Sequence, residues 1–447
     1  MAGRSRTAGA LAALTLALSL SLAACGDDES TTSAAETTTS AATSTSTSTS
    51  TDGSFDLVIG DALPLSGNLS DFAPAGRKAA ELAIDQIEDA IDETGVDQSV
   101  EVVHEDAGSG SNQADATAAA QELIDEGASC IAGPWVSDDV IATAEEVTIP
   151  AGVPLISPSA SAGEITDLDD NGLVLRTARP DSAQGAGLAA AVSDALGGAK
   201  GETVNIGARD DDYGNRIADS FTASWEALGG KVGTTEIYET GLGDADATAA
   251  AIVGGKPDAV VIADFPATFA KLAPALEQTG DYDPAKTFVA DGLVDEGLAG
   301  QVDAKAIEGL RGVGVGTPDD KPATQAYDEA FADADPPDVQ RNTFDAQNFD
   351  AVVLCYLGAV AAGSTDGAAI AAAIPDLSAP GGRLYTWEQL PQAIEALQKG
   401  RGIDYQGASG AVNIDAAGDT IGGVYDVFEF SDGKPSKVGQ VYSAPAS

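Results

Sequence analysis

The feature that most constrains the fold is a repeated alternation of short apolar runs with longer helical stretches. Phe55–Leu63 is a short apolar run that predicts a strand, and Ala75–Ile91 places its apolar residues at helical spacing. Val100–Val103, Gln113–Ile124 and Ser129–Ala132 continue the order as strand, helix and strand. This β-α-β-α order predicts a parallel sheet with helices on both faces.

The same alternation continues along the chain and restarts after Arg179. Further helices are predicted at Asp138–Val147, Ala183–Leu196, Asn215–Leu228, Ala267–Glu277, Ala323–Phe331, Ala346–Val360 and Leu390–Gln398. Further strands are predicted at Val153–Ile156, Thr203–Gly207, Val232–Ile237, Ala259–Ile262, Thr287–Ala290, Gly312–Val315, Thr420–Phe430 and Val438–Tyr442. The sequence therefore predicts an α/β protein with two doubly wound, Rossmann-like lobes. A ligand site is expected in the cleft between them, at the carboxyl ends of the strands.

The first 54 residues have the pattern of an export signal followed by a tether. Arg4 and Arg6 precede an uncharged run that ends in Leu22-Ala23-Ala24-Cys25, which resembles a bacterial lipobox with Cys25 as the lipidated residue. Residues 1–24 are therefore predicted to be a lipoprotein signal peptide; a signal anchor that stays in the bilayer is the alternative. From Ser30 to Thr51, 17 of 22 residues are Ser or Thr, so residues 25–54 are expected to form a disordered tether.

The charge of the chain excludes one class of partner. There are 22 Lys and Arg residues against 71 Asp and Glu residues, a formal net charge of −49. Such a surface repels phosphates, so nucleic acid binding is not expected. Whether the acidity reflects adaptation to salt or is ordinary for an extracellular protein stays open.

Seven segments that follow one another from about Phe55 to Asp419 carry a resemblance to a known family. They are IGDALPLSGNLSDFAPAGRKAAELAIDQI, CIAGPWVSDDV, PLISPSASAGEIT, LVLRTARPDSAQG, ARDDDYGNRIADSF, FDAVVLCYLGAV and IDYQGASGAVNIDAAGD. Together they resemble the type I periplasmic binding proteins, specifically the branched-chain amino acid (Leu/Ile/Val) receptors of ABC transporters. The resemblance implies two lobes joined by a three-strand hinge, with crossings near Arg179, Pro318 and Val412. The N-terminal lobe would comprise 54–179 plus 318–412, and the C-terminal lobe 180–317 plus 413–447.

Three serines that follow predicted strands are candidates for binding a ligand carboxylate. Ser137 opens a predicted helix, although Asp138 and Asp139 lie in the same turn and a plain N-cap role is the alternative. The resemblance implies that Ser159 contributes backbone groups and Ser161 its hydroxyl. A merely polar loop is the alternative for this pair.

Aromatic residues and one acid complete the expected ligand site. Phe72, Tyr213 and Phe265 match positions where the family has aromatic ligand contacts, and Trp135 stands where it often has smaller residues. Packing in the core of a lobe is the alternative for each ring. Asp291, just after a predicted strand, is the expected partner of a ligand ammonium group, although Gly292 could occupy that column and Asp291 could be one more solvated acid.

The remaining reactive side chains give little support for catalysis. His104 is the single histidine, so neither a metal site nor a cofactor is expected, and the protein is predicted not to be an enzyme. A secreted hydrolase with paired carboxylates is a weaker reading, because 71 acids form pairs by chance. The resemblance puts Cys130 and Cys355 in the same lobe, where export permits a disulfide. Two buried free thiols are the alternative.

The expected function is that of an exported solute-binding lipoprotein. It would capture an amino acid, or a related small carboxylate or amide, and deliver it to the permease subunits of an ABC transporter. The alternative is a sensory receptor of the same fold for amides, urea or aromatic acids, without transport. We expect a monomer on the outer face of the cytoplasmic membrane, held there only by the lipid on Cys25.

Overall fold

The computed structural model describes residues 53–443, except 68, 110–112, 240, 295–296, 319–320 and 379–381. The predicted signal peptide, Cys25 and nearly all of the predicted tether lie outside the described residues.

The described residues form fifteen strands and thirteen α-helices. The strands are β1 (Phe55–Leu63), β2 (Gln98–Asp106), β3 (Cys130–Ala132), β4 (Leu155–Ser157), β5 (Val174–Arg176), β6 (Thr203–Arg209), β7 (Lys231–Tyr238), β8 (Ala259–Ala263), β9 (Thr287–Val289), β10 (Arg311–Val315), β11 (Arg383–Thr386), β12 (Ile403–Gly407), β13 (Gly410–Ala411), β14 (Gly423–Ser431) and β15 (Lys434–Ser443). The helices are α1 (Ala73–Thr94), α2 (Gln113–Asp125), α3 (Ser137–Thr143), α4 (Ile149–Ala151), α5 (Asp181–Leu196), α6 (Asp212–Ala227), α7 (Ala245–Val253), α8 (Pro266–Thr279), α9 (Ala304–Ile307), α10 (Pro322–Asp333), α11 (Asp345–Ala362), α12 (Gly367–Leu377) and α13 (Leu390–Gln398).

The strands assemble into two large sheets, one in each lobe. The sheet of the first lobe has the order β2-β1-β3-β4-β5 and all of its pairings are parallel. The sheet of the second lobe has the order β15-β14-β10-β9-β8-β6-β7, with parallel pairing from β10 to β7. The predicted two-lobed α/β fold is therefore confirmed. The last two strands differ, because β14 and β15 form an antiparallel ribbon on the edge of the second sheet.

Apolar side chains of both sheets pack against helices on both faces. In the first lobe, Leu57 and Ile59 pack with α1 and α11, whereas Ala62 packs with α2 and α3 on the other face. In the second lobe, Ile206 packs with α5 and α6, and Ile262 packs with α7 and α8. This alternation along each strand follows from the two-residue period of β-structure.

Helix α11 is the central core helix of the first lobe. Its residues from Asp345 to Val360 are all buried, and Cys355 within it is bonded to Cys130 of β3. Their Cα atoms are 5.8 Å apart, and 225 residues of chain separate them. The disulfide thus links the first residue of β3 to the helix that packs against this sheet.

Arg179 joins the segments that pass from one lobe to the other. It lies between β5 of the first sheet and α5 of the second lobe, and it is buried. Its guanidinium donates from Nη1 to the carbonyl of Gly316 (3.2 Å) and from Nε to that of Gly422 (3.3 Å). Gly316 follows β10, and Gly422 precedes β14. One side chain therefore contacts all three passages of the chain between the sheets.

The segment from Asn413 to Thr420 packs on the first lobe. The Arg176 N–H donates to the carbonyl of Gly418 (2.9 Å), and the Arg176 guanidinium pairs with the Asp419 carboxylate at 2.6 Å. Ile414 belongs to the same apolar core as α11. In this structure residues 413–420 therefore pack with the first lobe, and the crossings near Arg179, Pro318 and Val412 stay a prediction.

Within the described residues, no single helix combines the length and apolar composition needed to cross a membrane. Helices α11 and α12 reach those values only together, across a bend of 103°.

Candidate functional site

The candidate residues all follow the carboxyl ends of parallel strands. Phe72 follows β1, Trp135 and Ser137 follow β3, and Ser159 and Ser161 follow β4 in the first lobe. Tyr213, Phe265 and Asp291 follow β6, β8 and β9 in the second lobe. Ligand sites of open parallel sheets are found at these ends of the strands.

Three aromatic residues of the first lobe form one cluster, which we call the first-lobe cluster: Phe72, Trp135 and Phe344. The ring of Phe344 lies 6.5 Å from that of Phe72 and meets that of Trp135 edge-on at 6.3 Å. Trp135 is buried, and its ring fills the space beside Gly76, where an added Cβ would come within 2.6 Å of the indole. The indole Nε1–H is buried with no hydrogen-bond partner among the described residues.

Phe344 is a member of the cluster that the sequence analysis missed. It precedes α11 and has a φ of +71°, a left-handed conformation that costs energy for a bulky residue. Strained backbone of this kind clusters at binding sites. Sequence offers no signal for it, since an aromatic residue before a helix is ordinary. A cavity of about 160 Å³ lies beside Phe344 and reaches Thr317 and Asp426.

Ser137 is the first residue of α3, where the loop after β3 ends, and Ser159 and Ser161 lie in the adjoining loop after β4. The Ser137 hydroxyl accepts from the N–H of Ala162 (3.3 Å), and the Ser159 hydroxyl donates to the carbonyl of Trp135 (2.5 Å). Val136 occupies the N-cap position of α3, so Ser137 is not its cap. The carbonyl of Ser161 accepts from the N–H of Asp181 at 2.9 Å. These hydrogen bonds join both loops to the first-lobe cluster and to the start of α5.

Tyr213, Phe265 and Asp291 form what we call the second-lobe cluster. The rings of Tyr213 and Phe265 are stacked, with centroids 4.6 Å apart and planes inclined by 25°. The Tyr213 hydroxyl donates to Asp291 Oδ1 at 2.8 Å and accepts from the N–H of Gly292 at 3.1 Å. Asp291 and Gly292, the two residues that competed for this position, thus bind the same hydroxyl.

Electrostatics keep Tyr213 neutral. Burial raises the pKa of its phenol well above the ordinary value, and the nearby charge of Asp291 raises it further. A neutral phenol donates its proton to Asp291 and leaves Oδ2 of that carboxylate outside this hydrogen bond. Asp291 is half-buried, so a ligand cation can approach it.

Asp181 connects the serine loop with the second-lobe cluster. It is buried, its N–H binds Ser161, and its charge contributes to the raised pKa of Tyr213. Asp181 therefore lies close to both Ser161 of the first lobe and Tyr213 of the second.

Another cavity, of about 500 Å³, lies along α5, α6 and residues 415–422. None of the eight candidate residues lines it. Among the described residues, no group of three or more His, Cys, Asp and Glu side chains is placed to hold a metal ion.

Two parallel-sheet lobes with aromatic, hydroxyl and carboxylate groups at their strand ends define a class of two-lobed ligand-binding proteins. The sequence model of the periplasmic binding protein family matches residues 57–427. The chain therefore belongs to the periplasmic binding protein family, and membership implies an exported protein.

Individual proteins are similar to this chain in sequence or in fold. The chain is 26% identical over 376 residues to the chemotactic signal transduction system substrate-binding protein BasB of Halobacterium salinarum, covering 82% of this chain and 85% of BasB. The structure of the branched-chain amino acid transporter substrate-binding protein LivJ of Streptococcus pneumoniae, in complex with isoleucine, is similar with a TM-score of 0.59 and 24% identity, covering 87% of this chain and 100% of LivJ. An ABC transporter solute-binding protein of R. palustris in complex with benzoate is similar with a TM-score of 0.54 and 21% identity, covering 88% and 98%.

Proposed function

We propose that the protein is an extracytoplasmic solute-binding protein that captures an amino acid, or a related small carboxylate or amide, and delivers it to an ABC permease. The observation that carries the proposal is the half-buried Asp291 carboxylate, held by the neutral Tyr213 hydroxyl at 2.8 Å beside a stacked aromatic pair. An anchored carboxylate next to aromatic rings is suited to an ammonium group.

The ligand carboxylate would bind on the other lobe. Ser161 would supply its hydroxyl and Ser159 its backbone groups, as the resemblance implies, and the indole N–H of Trp135, which is buried without a partner, would become a further donor if the ligand reaches it. Ser137 lies beside them through its hydrogen bond with Ala162. Neutral donors suffice for a carboxylate once the cleft excludes water, because hydrogen bonds to an ionised acceptor are stronger than neutral ones.

The two aromatic clusters would enclose the apolar part of the ligand. LivJ of S. pneumoniae was solved with isoleucine, and the R. palustris protein with benzoate. Each of these molecules is a carboxylate with a compact apolar body, which agrees with aromatic walls beside hydroxyl and N–H donors. Closure of the lobes about the crossing segments would complete the enclosure.

The decisive experiment replaces the proposed ammonium partner. Asp291→Ala should weaken the binding of L-isoleucine at least tenfold in calorimetry, since a hydrogen bond to a charged group is worth about 1.5–3 kcal/mol. Asp92→Ala, which removes an exposed carboxylate from α1, is the matched control and should leave the affinity unchanged. Equal affinity in both variants would remove Asp291 from the site. A thermal-shift screen of amino acids, amides and small aromatic acids comes first.

A sensory role without transport is the second candidate, and the similarity to the chemotaxis protein BasB favours it. The two roles share the binding step and differ in the partner. Loss of the gene should abolish the uptake of labelled ligand if the partner is a permease. It should abolish the behavioural response and leave uptake intact if the partner is a signal transducer.

Anchoring by a lipid on Cys25 is part of the proposal. Cys25→Ser should abolish the incorporation of labelled fatty acid and release the protein from the membrane fraction. A monomer that does not bind nucleic acid is expected, because its formal net charge is −49. Binding without turnover is also expected.

A further inference from the structure

We propose that Arg209 and Asp264 are positioning residues that hold the stack of Phe265 on Tyr213, and through it Asp291, in the geometry that binds the ligand. The inference rests on the proposed function, because it assigns to these residues a role behind the same ligand site.

The Arg209 guanidinium contacts the same ring on which Tyr213 is stacked. The guanidinium carbon lies 4.5 Å from the centroid of the Phe265 ring, while the Tyr213 ring is stacked on that ring at 4.6 Å. The Phe265 ring therefore contacts both the Arg209 guanidinium and the Tyr213 ring. A cation on the face of an aromatic ring is attractive, and more so where water is excluded.

The side chain and the backbone of Arg209 each make a further contact. Its Nε donates to the Asp211 carboxylate, and 16% of the side chain is exposed. The backbone of Arg209 lies against Gly214, where any Cβ would collide with the Arg209 carbonyl oxygen. The start of α6, which carries Tyr213, is therefore packed directly on Arg209.

The Asp264 carboxylate holds the backbone of Phe265 through a hydrogen bond. The carboxylate is fully buried; Oδ1 accepts from the N–H of Phe265 at 2.7 Å, and Oδ2 accepts from the hydroxyl of Tyr238 at 2.9 Å. Arg209 ends β6, Tyr238 ends β7 and Asp264 follows β8, and these strands are neighbours in the sheet. The network thus rests on three adjacent strand ends.

The network reaches Asp291 through close packing. A Cβ on Gly292 would come within 2.8 Å of both the Asp264 carbonyl oxygen and the Phe265 ring, so the loop of Asp291 rests on these residues without a side chain between them. The Gly292 N–H and the Asp291 carboxylate both bind the Tyr213 hydroxyl. A shift of Phe265 would therefore move the ammonium partner.

Charge supports the same assignment. Burial raises the pKa of Asp264 to about 6, while the groups that face it are Tyr238 on β7, Arg209 on β6 and Asp211 after β6. Asp264 therefore titrates in a range in which exposed carboxyls do not, which provides a signature specific to this network.

The test combines a direct readout of the stack with ligand affinity. The protein is labelled with ¹³C in its tyrosine rings, and the Tyr213 signal is assigned by its loss in Tyr213→Phe. Arg209→Met should shift the Tyr213 signal and weaken binding of L-isoleucine about five- to tenfold, whereas Arg209→Lys, which keeps a cation, should be intermediate. Arg383→Met is the matched control, because the Arg383 guanidinium lies 5.1 Å from the ring of Tyr385 in a separate sheet formed by β11, β12 and β13. It should change neither readout.

Asp264 is tested by pH. The Tyr213 signal of the wild type should titrate with a midpoint near 6, and that titration should be absent in Asp264→Asn, whose amide oxygen can still accept from Phe265. An unmoved Tyr213 signal in Arg209→Met, or the same titration in Asp264→Asn, overturns the inference. If the wild type binds neither L-isoleucine nor benzoate, the proposed ligand class fails, and the tyrosine signals still decide whether the stack depends on these two residues.

Discussion

The two lobes offer the cleft different chemistry. The first lobe contributes three aromatic rings and neutral donors on its serine loops, and its candidate residues include no ionised side chain. The second lobe contributes a stacked aromatic pair with the Asp291 carboxylate, supported by the charged Arg209 and Asp264. For a zwitterion, the anion would meet neutral donors and the cation would meet a charge. This division suits so acidic a protein, because a cationic side chain placed in the site to bind the ligand carboxylate would also attract the protein's own carboxylates.

The largest expected effect concerns the cross-link of the first lobe. Cys130→Ala with Cys355→Ala should cost about 2–5 kcal/mol of unfolding free energy, because a bridge across a long loop restricts the unfolded chain. Urea denaturation should show the first lobe unfolding earlier than in the wild type. A reducing agent should destabilise the wild type and leave the variant unchanged. An intact mass without the loss of two hydrogens would show that the thiols are free.

The next largest expected effect is the dependence of stability on pH, to which one buried carboxyl group in each lobe contributes. Burial raises the pKa of Asp350 in the first lobe, and of Asp264 in the second, to about 6. A folded-state pKa above the unfolded value gives a stabilisation that is present below about pH 4 and lost as pH rises through 6. The loss is about 2–3 kcal/mol for each group.

Urea unfolding at pH 5 and pH 7.5 checks this effect. Stability should fall with rising pH in the wild type and fall less in Asp264→Asn, whose amide can still bond to both Phe265 and Tyr238. The same pH slope in both proteins would show that Asp264 titrates normally.

Removing one hydroxyl from each lobe sharpens the comparison further. Tyr213→Phe keeps the stacked ring and loses the bond to Asp291, so it should weaken L-isoleucine about fivefold and leave benzoate, which has no ammonium group, nearly unchanged. Ser161→Ala should weaken both compounds by a similar factor, since both carry a carboxylate. Calorimetry with the two compounds separates these outcomes. Identical patterns for the two variants would contradict the assigned division of roles.

The smallest effect tests the strained member of the first-lobe cluster. Phe344→Asn removes the ring and keeps a residue that tolerates a φ of +71°. We expect about a threefold loss of affinity for L-isoleucine and little change in melting temperature. Unchanged affinity would leave Phe344 as packing for Phe72 and Trp135.

The sequence was sufficient to predict the helices and strands in which apolar residues recur at regular spacing. Phe55–Leu63 and Leu390–Gln398 have the predicted bounds, and other predicted elements differ mainly at their ends. Short or atypical elements were missed: β5, β11 and β12 span only three to five residues, and the alanine-rich α7 and α12 have little polar contrast between their faces. In such segments tertiary packing decides the conformation.

For the candidate site, sequence and resemblance gave positions, whereas the structure shows which of them are joined. Tyr213 and Asp291 are 78 residues apart, and no local pattern indicates their hydrogen bond. The same holds for Asp419, whose carboxylate pairs with Arg176 from 243 residues away. Phe344 was invisible because its role depends on a backbone conformation that its side chain opposes.

The buried Arg179 has a mechanical consequence. The Arg179 guanidinium donates to the carbonyls of Gly316 and Gly422, and the backbone of Arg179 belongs to the third segment that joins the lobes. A shift of any one segment would therefore strain a hydrogen bond to another. Three separate segments of the chain are thereby joined at one point. Sliding of one segment past the others would break these hydrogen bonds.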